Sequence, residues 1–375
     1  MADIVKILSF HPFSLYANGG GNRILRRLYQ GHEHQVFSLV VEGAGTKPQT
    51  GSITEKIVYA SPITRRWMRW YLRDGIIWLR EKAFKFWSIN RIRKAAREIP
   101  YDVIHVVHHG PFSAALCTGE FCNSKKLWVS FHDHFSTTHS SFEDSKKLWK
   151  MADRRLVISE ELGTEYQRLF GGLDYEIITD GVENDEISGP IKEDPLPYVV
   201  YFAGLLHIAY RPLFMVLADA LDLLVKKGIL FKLILRGTQH IEFLDNRSFE
   251  VEYRPTSLNN AELKAELDAA SILYLPIKFT VSDFYLFSLS TKMIGYLGGK
   301  GAILYHGPRD SAACNLLVNS NAAISCNTLD VNDFVDCINN IMINGNYISN
   351  NAKILAKKTF NLAAIRKRFW QQKDS

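Results

Sequence analysis

The chain has 375 residues, 47% of them hydrophobic and 22% charged, which is length and apolar content enough for two globular domains with separate cores. Five cysteines, an odd set with no C-x-x-C pair, argue against a disulfide framework or a structural zinc site and fit a reducing cytoplasm. The start "MADIVKILSFHPF" lacks the basic n-region and long apolar core of a secretion signal, and no run of about 18 uncharged apolar residues occurs, so neither secretion nor a membrane span is expected.

The net charge of +6 is local. Between Thr64 and Glu98 there are eleven Lys or Arg against three Asp or Glu, a net +8 that leaves the remainder of the chain at about −2. No zinc finger, RNP motif or disordered basic tail accompanies this segment, so nucleic acid is not expected as a partner.

In chain order, the first half gives the β-rich runs "IVKILSF", "HQVFSLVV", "DVIHVV", "LWVSFH", "RRLVIS" and "YEIITDG", separated by amphipathic helical stretches. The acidic, proline-containing stretch from Gly189 to Pro197 reads as a linker. A second series follows: "YVVYFAG", "FKLILRG", "FEVEYR", "SILYLPI", "GAILYHG" and "AAISC", with helices expected at Leu213 to Lys227 and Ala261 to Ala270. Strands alternating with helices specify parallel sheets covered on both faces, here two doubly wound, Rossmann-like α/β domains in tandem.

Ligands of open α/β sheets sit at the carboxyl ends of the strands, so the strand-to-helix turns carry the candidate chemistry. The first turn holds Gly19, Gly20 and Gly21 ahead of a helix opening near Asn22, where bare backbone admits a ligand close to a helix N-terminus. It lacks the G-x-G-x-x-G spacing of a nicotinamide site, and the second strand offers only Glu42. The next turns bring His105, His108 and His109, then His132, Asp133 and His134. No metal-ligand spacing accompanies these histidines. Lining a cleft for a polyol substrate suits them better, with His105 a candidate core histidine because it falls mid-strand. Late in the chain, "LSTKMIGYLGGKGAILYHG" places Ser290 as a candidate N-cap, with Thr291 and Lys292 in the first helical turn, a grouping suited to an anion such as phosphate.

Taken in order, the glycine turn, "YDVIHVVHHGP", "WVSFHDHF", "ADRRLVISEELGTEYQRLFG", "YEIITDGVEND", "YVVYFAGLL" and "SLSTKMIGYLGGKGAILYHG" resemble the GT-B glycosyltransferases, most closely the retaining group-1 (GT4-like) family. The resemblance covers nearly the whole chain. It implies an acceptor-binding domain over 1–188, completed by a C-terminal helix (359–375) that crosses back to it, and a donor-binding domain over 189–358, facing each other across a cleft. It implies transfer of a sugar from a nucleotide-sugar donor to a glycan or lipid-linked acceptor, in cell-envelope or surface polysaccharide synthesis. The nucleotide sugar is a substrate, and neither a cofactor nor a metal is called for, consistent with the missing D-x-D dyad.

By the same resemblance, His132 and the adjacent Asp133 are the catalytic candidates. Gly204, Arg211, Arg236, Asp283, Ser290, Thr291 and Lys292 are the donor-binding candidates, and Gly19, Gly20, Gly21, Asn22, His108 and His109 line the acceptor side. The chain departs from the family pattern at three places. Leu205 stands where an arginine commonly follows the glycine, Gly295 where a glutamate grips the ribose, and Phe287 where the other acid of an E-x7-E pair stands. Two alternatives share the architecture: a sugar-nucleotide epimerase-like enzyme, and a non-catalytic GT-B-like binding subunit.

The basic segment carries four of the seven tryptophans, with Ile76, Leu79, Ala83, Phe86 and Trp87 at helical spacing. Such a stripe serves either as a core face or, with this much Arg and Trp, as a contact for an anionic membrane surface. The second reading makes the protein cytoplasmic and peripheral on the inner face of the membrane. The closing stretch "LAAIRKRFWQQ" is expected to be an amphipathic helix that docks through Ile365, Phe369 and Trp370.

Overall fold

A computed structural model describes residues 5–17, 19–42, 51–59, 83–189, 196–204, 206, 208–257 and 259–371. The chain divides into two compact units, Met1–Thr179 and Asp180–Ser375. Most of the linker stretch and most of the basic segment, with Arg65, Arg66, Arg69, Arg73, Ile76 and Leu79, lie outside the described residues, as does Leu205.

Unit 1 is a seven-stranded parallel sheet built from β1 (Ile7–His11), β2 (Val36–Glu42), β3 (Thr54–Tyr59), β4 (Val103–Val107), β5 (Lys126–Phe131), β6 (Arg154–Val157) and β7 (Glu176–Ile177). Their spatial order is β3-β2-β1-β4-β5-β6-β7. Strands β1 and β4 are buried at every position, as both-face coverage requires. The helices are α1 (Gly20–Tyr29), α2 (Lys85–Arg97), the short α3 (Gly119–Cys122), α4 (Phe142–Met151) and α5 (Glu160–Phe170). Ser141 and Ser159 cap α4 and α5, their hydroxyls accepting the N–H groups of Asp144 and Leu162. Strand β3 has no counterpart among the runs read from the sequence. Its residues "TEKIVY" are mostly polar and only partly buried, which suits an edge strand and hides it from a search for apolar runs.

Unit 2 holds β8 (Tyr198–Ala203), β9 (Phe231–Arg236), β10 (Glu250–Arg254), β11 (Ile272–Pro276), β12 (Ala302–His306) and β13 (Ala323–Cys326), in the parallel order β10-β9-β8-β11-β12-β13. Its helices are α6 (Arg211–Lys226), α7 (Asn260–Ala269), α8 (Ser282–Phe287), α9 (Thr291–Tyr296), α10 (Ala312–Asn319), α11 (Val331–Thr359) and α12 (Leu362–Trp370). Pro212 in the first turn of α6, and the side-chain caps of Asn259, Ser311, Asp330 and Asn361, set four helix starts besides that of α6. Phe202, Phe214, Leu217, Leu233, Tyr274, Leu304, Phe334 and Ile338 form the centre of the core. Burial of each such side chain contributes about 1.5–3 kcal/mol.

On α2 the apolar stripe does not enter the core. Phe86 is 75% exposed and Trp87 is exposed beneath the guanidinium of Arg91, 4.6 Å from its ring centroid, while Ser88, Ile92, Ala95 and Ala96 face inward. The closing helix α12 buries Leu362, Ile365 and Phe369 completely and leaves Trp370 half-buried. Its start is tied to the beginning of unit 2: the Val182 N–H donates to Phe360 O (2.7 Å), the Leu362 N–H donates to Val182 O (3.1 Å), and Arg366 pairs with Glu183 (2.7 Å). Truncation after Lys358 is therefore expected to lower the melting temperature, and Phe369→Ala alone to cost about 3–5 kcal/mol. Denaturant titration of both variants checks this, and midpoints equal to wild type would contradict the docking.

Candidate active site

Each sheet reverses its direction of winding once, between β1 and β4 in unit 1 and between β8 and β11 in unit 2. The helices diverge at such points and leave a crevice at the carboxyl ends of the strands. Most of the sequence-derived candidates fall at these two places.

In unit 1 the crevice is formed by the turns after β1, β4 and β5. The β1–α1 loop is shaped by Glu55 of the edge strand β3, whose carboxylate accepts the Ser14 hydroxyl (2.7 Å), the Leu15 N–H (2.7 Å) and the Ser38 hydroxyl (3.1 Å). Ser38 also contacts His11 Nε2 at 3.1 Å, and His11 Nδ1 donates to the carbonyl of Phe13 at 2.5 Å. Gly21 fits because nothing larger does. A Cβ there would lie 2.9 Å from the Phe13 ring and 3.5 Å from His132 Nδ1. Gly19 and Gly20 are exposed at the start of α1.

His132, 8% exposed, has its Nε2 buried with no hydrogen-bond partner. Burial, then the neighbouring His109 and His11, pull its pKa down to about 4, so the ring is neutral at pH 7 and presents one acceptor and one donor nitrogen. His109 is half-buried, with its ring edge-on to Phe13 at 6.2 Å. Asp133 is half-buried, and its main-chain carbonyl accepts the Tyr166 hydroxyl at 3.5 Å. His134 is buried against Phe135, with Nδ1 at 2.8 Å from the Ser136 hydroxyl.

Two of the expected acceptor-side residues are turned to other work. His108 is wholly buried, with Nδ1 at 2.9 Å from Ser113 Oγ and Nε2 at 2.9 Å from Ser145 Oγ, so both ring nitrogens are used inside the unit. The Asn22 amide donates to the carbonyls of Ser14 (2.6 Å) and Ala17 (3.1 Å), closing the glycine loop rather than facing a ligand. His105 is a core histidine, bonded to the Tyr29 hydroxyl (2.6 Å) and Ser130 Oγ (2.7 Å).

In unit 2, Gly204 ends β8 with φ +136°, a conformation that side chains other than glycine's disfavour. A Cβ there would stand 3.1 Å from Lys292 Nζ. That ammonium, half-buried, lies 3.8 Å from the centroid of the Phe202 ring and makes no ion pair or hydrogen bond among the described residues. Burial alone draws its pKa down to about 7. Ser290 stands at the N-cap position of α9, but its hydroxyl makes no capping bond, and the helix is only six residues long. The Ser290 and Thr291 hydroxyls, like the lysine, have no partner among the described residues. Arg211 is exposed at the first turn of α6, its guanidinium 5.5 Å from the Phe243 centroid. Asp283 is half-buried in the first turn of α8, and Gly295 is half-buried on α9.

Arg236, expected among the donor-binding residues, is instead taken up by the chain itself. It is 4% exposed, and its guanidinium is consumed by Glu266 (Nε–Oε2 2.5 Å), Glu262 (2.6 Å) and the Pro255 carbonyl (2.6 Å). Glu266 also receives Arg254 (2.6 Å) and the Tyr201 hydroxyl (2.8 Å), so the network ties β8, β9 and β10 to α7. Among the described residues no three His, Cys, Asp or Glu side chains converge to hold a metal ion, and no helix is long and apolar enough to cross a membrane.

Phe13, Glu55 and Phe202 were not singled out by motif. Phe13 stands in the quoted first turn and Phe202 within "YVVYFAG", but only the fold brings them beside Gly21 and Lys292.

Residues 19–186 match the model of Glycosyltransferase Family 4. No curated protein matches the chain. Among solved structures it is similar to Anabaena HepE in complex with UDP, at 15% identity over 97% of this chain and 98% of that one, TM-score 0.65. It is also similar to a glycosyltransferase from Rickettsia africae, at 12% identity over 97% and 96%, TM-score 0.63. A UDP-forming trehalose-phosphate synthase from Burkholderia xenovorans matches at 10% identity over 97% and 98%, TM-score 0.63. At these identities the likeness carries the fold, and that fold is GT-B.

Gly204→Ala tests the unit 2 geometry. The added methyl group must strain a left-handed backbone and displace Lys292, at a cost of about 1–3 kcal/mol. A melting temperature equal to that of wild type would show that the lysine does not sit where described.

Proposed function

We propose that this chain, which carries a Glycosyltransferase Family 4 segment on a GT-B fold, transfers a sugar from a nucleotide-sugar donor, bound at the crevice of unit 2, to an acceptor bound at the crevice of unit 1. The observation that carries the donor assignment is the uncompensated Lys292 ammonium beside Gly204 at the switch point. A buried cation with no counter-charge is costly unless a ligand supplies one. A diphosphate is the matching group, and Anabaena HepE, a structural neighbour, is crystallised with UDP and with UDP-glucose. Ser290 and Thr291 offer two free hydroxyls to the same anion, and Arg211 offers a second cation.

Glycosyl transfer breaks the bond between the anomeric carbon and the diphosphate, with positive charge growing on the sugar and negative charge on the leaving group. Preorganised charge at the leaving oxygens is the largest expected contribution. Lys292 and Arg211 are assigned that work, without a metal ion. His132, neutral and with a buried nitrogen unpaired, is assigned to the sugar near the reacting centre, with Asp133 adjacent. Asp283 is the carboxylate assigned to donor hydroxyls in place of the absent glutamate at Gly295. The retaining course and the use of a glycan or lipid-linked acceptor in surface polysaccharide synthesis follow the group-1 resemblance.

Lys292→Ala is expected to weaken UDP binding by roughly 10- to 100-fold, the worth of one charge-assisted hydrogen bond of about 1.5–3 kcal/mol. His132→Ala should leave UDP binding within about twofold and lower turnover by on the order of a hundredfold or more. Calorimetry with UDP, and mass spectrometry of donor consumption with and without lipid extract, read these outcomes. Donor converted without an acceptor would favour an epimerase-like enzyme, and no turnover with any sugar nucleotide would favour a binding subunit.

The acceptor side is assigned to an anionic membrane surface. Phe86 and Trp87 stand exposed on α2 beside the exposed cations Arg91 and Lys94, a pairing of aromatic and basic groups that suits a lipid interface. Phe86→Ser with Trp87→Ser should abolish sedimentation with phosphatidylglycerol vesicles, and added salt should weaken it in the wild type. Equal sedimentation of the double variant and wild type would refute this face.

A further inference from the structure

Helix α11 runs for 29 residues, about 43 Å at the rise of an α-helix. One side of it, with Phe334, Ile338, Ile341 and Ile348, is buried in the unit 2 core. The opposite side reads Asp336, Asn340, Ile343, Tyr347, Asn350, Ile354 and Lys357, in alternating steps of four and three, and all seven positions are exposed. Ile343 is 81% exposed, Tyr347 59% and Ile354 60%. One exposed apolar side chain is ordinary, but three in one row on the solvent side of a helix serve nothing within unit 2. Steps of four and three are the spacing at which one helix packs along another.

The polar members of the row indicate what fits it. Asp336 stands near one end, and Lys357 with the adjacent Lys358 near the other, about 32 Å away along the axis. None of the three makes an ion pair among the described residues. Between them the row is uncharged and symmetric: Asn340 and Asn350 stand three residues outside Ile343 and Tyr347. An anionic membrane attracts a surface that is basic along its length, whereas this row is acidic at one end and basic at the other. Such a row complements itself when a second copy is turned end for end.

We propose that this row is an isologous interface, on which a second copy of the chain packs its own α11 antiparallel, about a two-fold axis midway between Ile343 and Tyr347. In that register Tyr347 lies on the partner's Ile343, and symmetry makes the contact twice. Asn340 faces the partner's Asn350. The Asn344 amide already donates to Asn340 Oδ1 at 2.8 Å, which leaves the Asn340 amide hydrogens to donate across the axis and fix the register, as polar residues in helix seams do. Ile354 covers the stem of the partner's Asp336, and Lys357 and Lys358, one turn further on, reach its carboxylate. A parallel alignment would instead set acid against acid and base against base. A contact of one helix per copy lies at the small end of specific interfaces, so the dimer belongs in the micromolar range. The row contains none of the residues assigned to donor or acceptor, so the pairing stands apart from the proposed reaction.

Sedimentation velocity of the full chain from about 1 to 200 µM should show monomer giving way to dimer, less so in high salt because the end pairs are exposed. Tyr347→Glu sets two carboxylates beside the axis and should weaken the dimer at least about tenfold. Asp336→Lys, and separately Lys357→Glu with Lys358→Glu, turn attraction at the ends into repulsion. Each should weaken the dimer about tenfold, and the two variants mixed should pair again. All these positions are exposed, so melting temperatures at about 1 µM should match that of wild type and exclude unfolding as the cause. A zero-length carbodiimide should join Asp336 to Lys357 or Lys358 in the dimer, since about 32 Å separates them within one copy. Wild type that stays monomeric at about 200 µM overturns the proposal, whether or not the row then binds vesicles or another protein. A dimer that Tyr347→Glu leaves intact, or one that yields no link between Asp336 and these lysines, overturns it as well.

Discussion

Parallel strands can be joined only by crossovers, and the crossovers share one hand. A sheet that grows outward in both directions from its first strand must therefore place helices on opposite faces and leave an opening above the strand pair where the growth reverses. Both sheets here are parallel throughout the described strand pairs, and each reverses once, beside β1 and beside β8. The turns after β1 and β8 carry the glycines that let a ligand approach, and the turns after β5 and β11 carry the side chains left unsatisfied. His132 follows β5 and Lys292 lies on α9, after β11, each beside the strand pair where its sheet reverses.

An opening of this kind keeps its shape only if its loops are tied down from behind. In unit 1 the tie is Glu55, reaching from the sheet edge to hold the β1–α1 loop through Ser14, Leu15 and Ser38. Its three accepted hydrogen bonds, each worth about 1 kcal/mol or somewhat more because the acceptor is charged, fix a loop that otherwise has glycine freedom. In unit 2 the tie is the ion-pair network around Glu266, which joins three strands to α7 beneath the Gly204 turn. The polar residues that support each crevice thus come from parts of the chain distant in sequence from those that line it.

That separation explains which parts were legible beforehand. The buried strands were readable because both-face burial demands apolar runs such as "VIHVV" and "AILYH", and the glycine turn and Ser290–Lys292 because local chemistry announces them. Helix α6 begins at Arg211, two residues before the expected start, because Pro212 initiates it. Strand β3 was invisible because an edge strand needs no apolar run. Arg236 and His108 look, as residue types at strand ends, like ligand-binding groups. What removes them is Glu266, thirty residues further along, and Ser145, on another helix. Phe202 on β8 and Lys292 on α9 are separated in sequence by three strands and three α-helices, so their partnership has no local signature at all.

Two cations of unit 2, Arg236 and Lys292, differ in what the chain has placed around them. They stand at the same end of the same sheet, Arg236 buried and Lys292 half-buried. Around Arg236 the chain has assembled two carboxylates and a carbonyl, which occupy four of its five N–H groups, and the carboxylates raise its pKa. Around Lys292 it has assembled an aromatic face and a glycine, and burial accordingly lowers its pKa. Desolvating a charge without a partner is destabilising, and a sequence under selection for stability alone would place a carboxylate there or remove the amine. The position where the family pattern has a glutamate on this helix is Gly295, so the departure from the pattern adds no negative charge near the lysine either. An amine left without a carboxylate partner is the observation on which the diphosphate site proposed above rests.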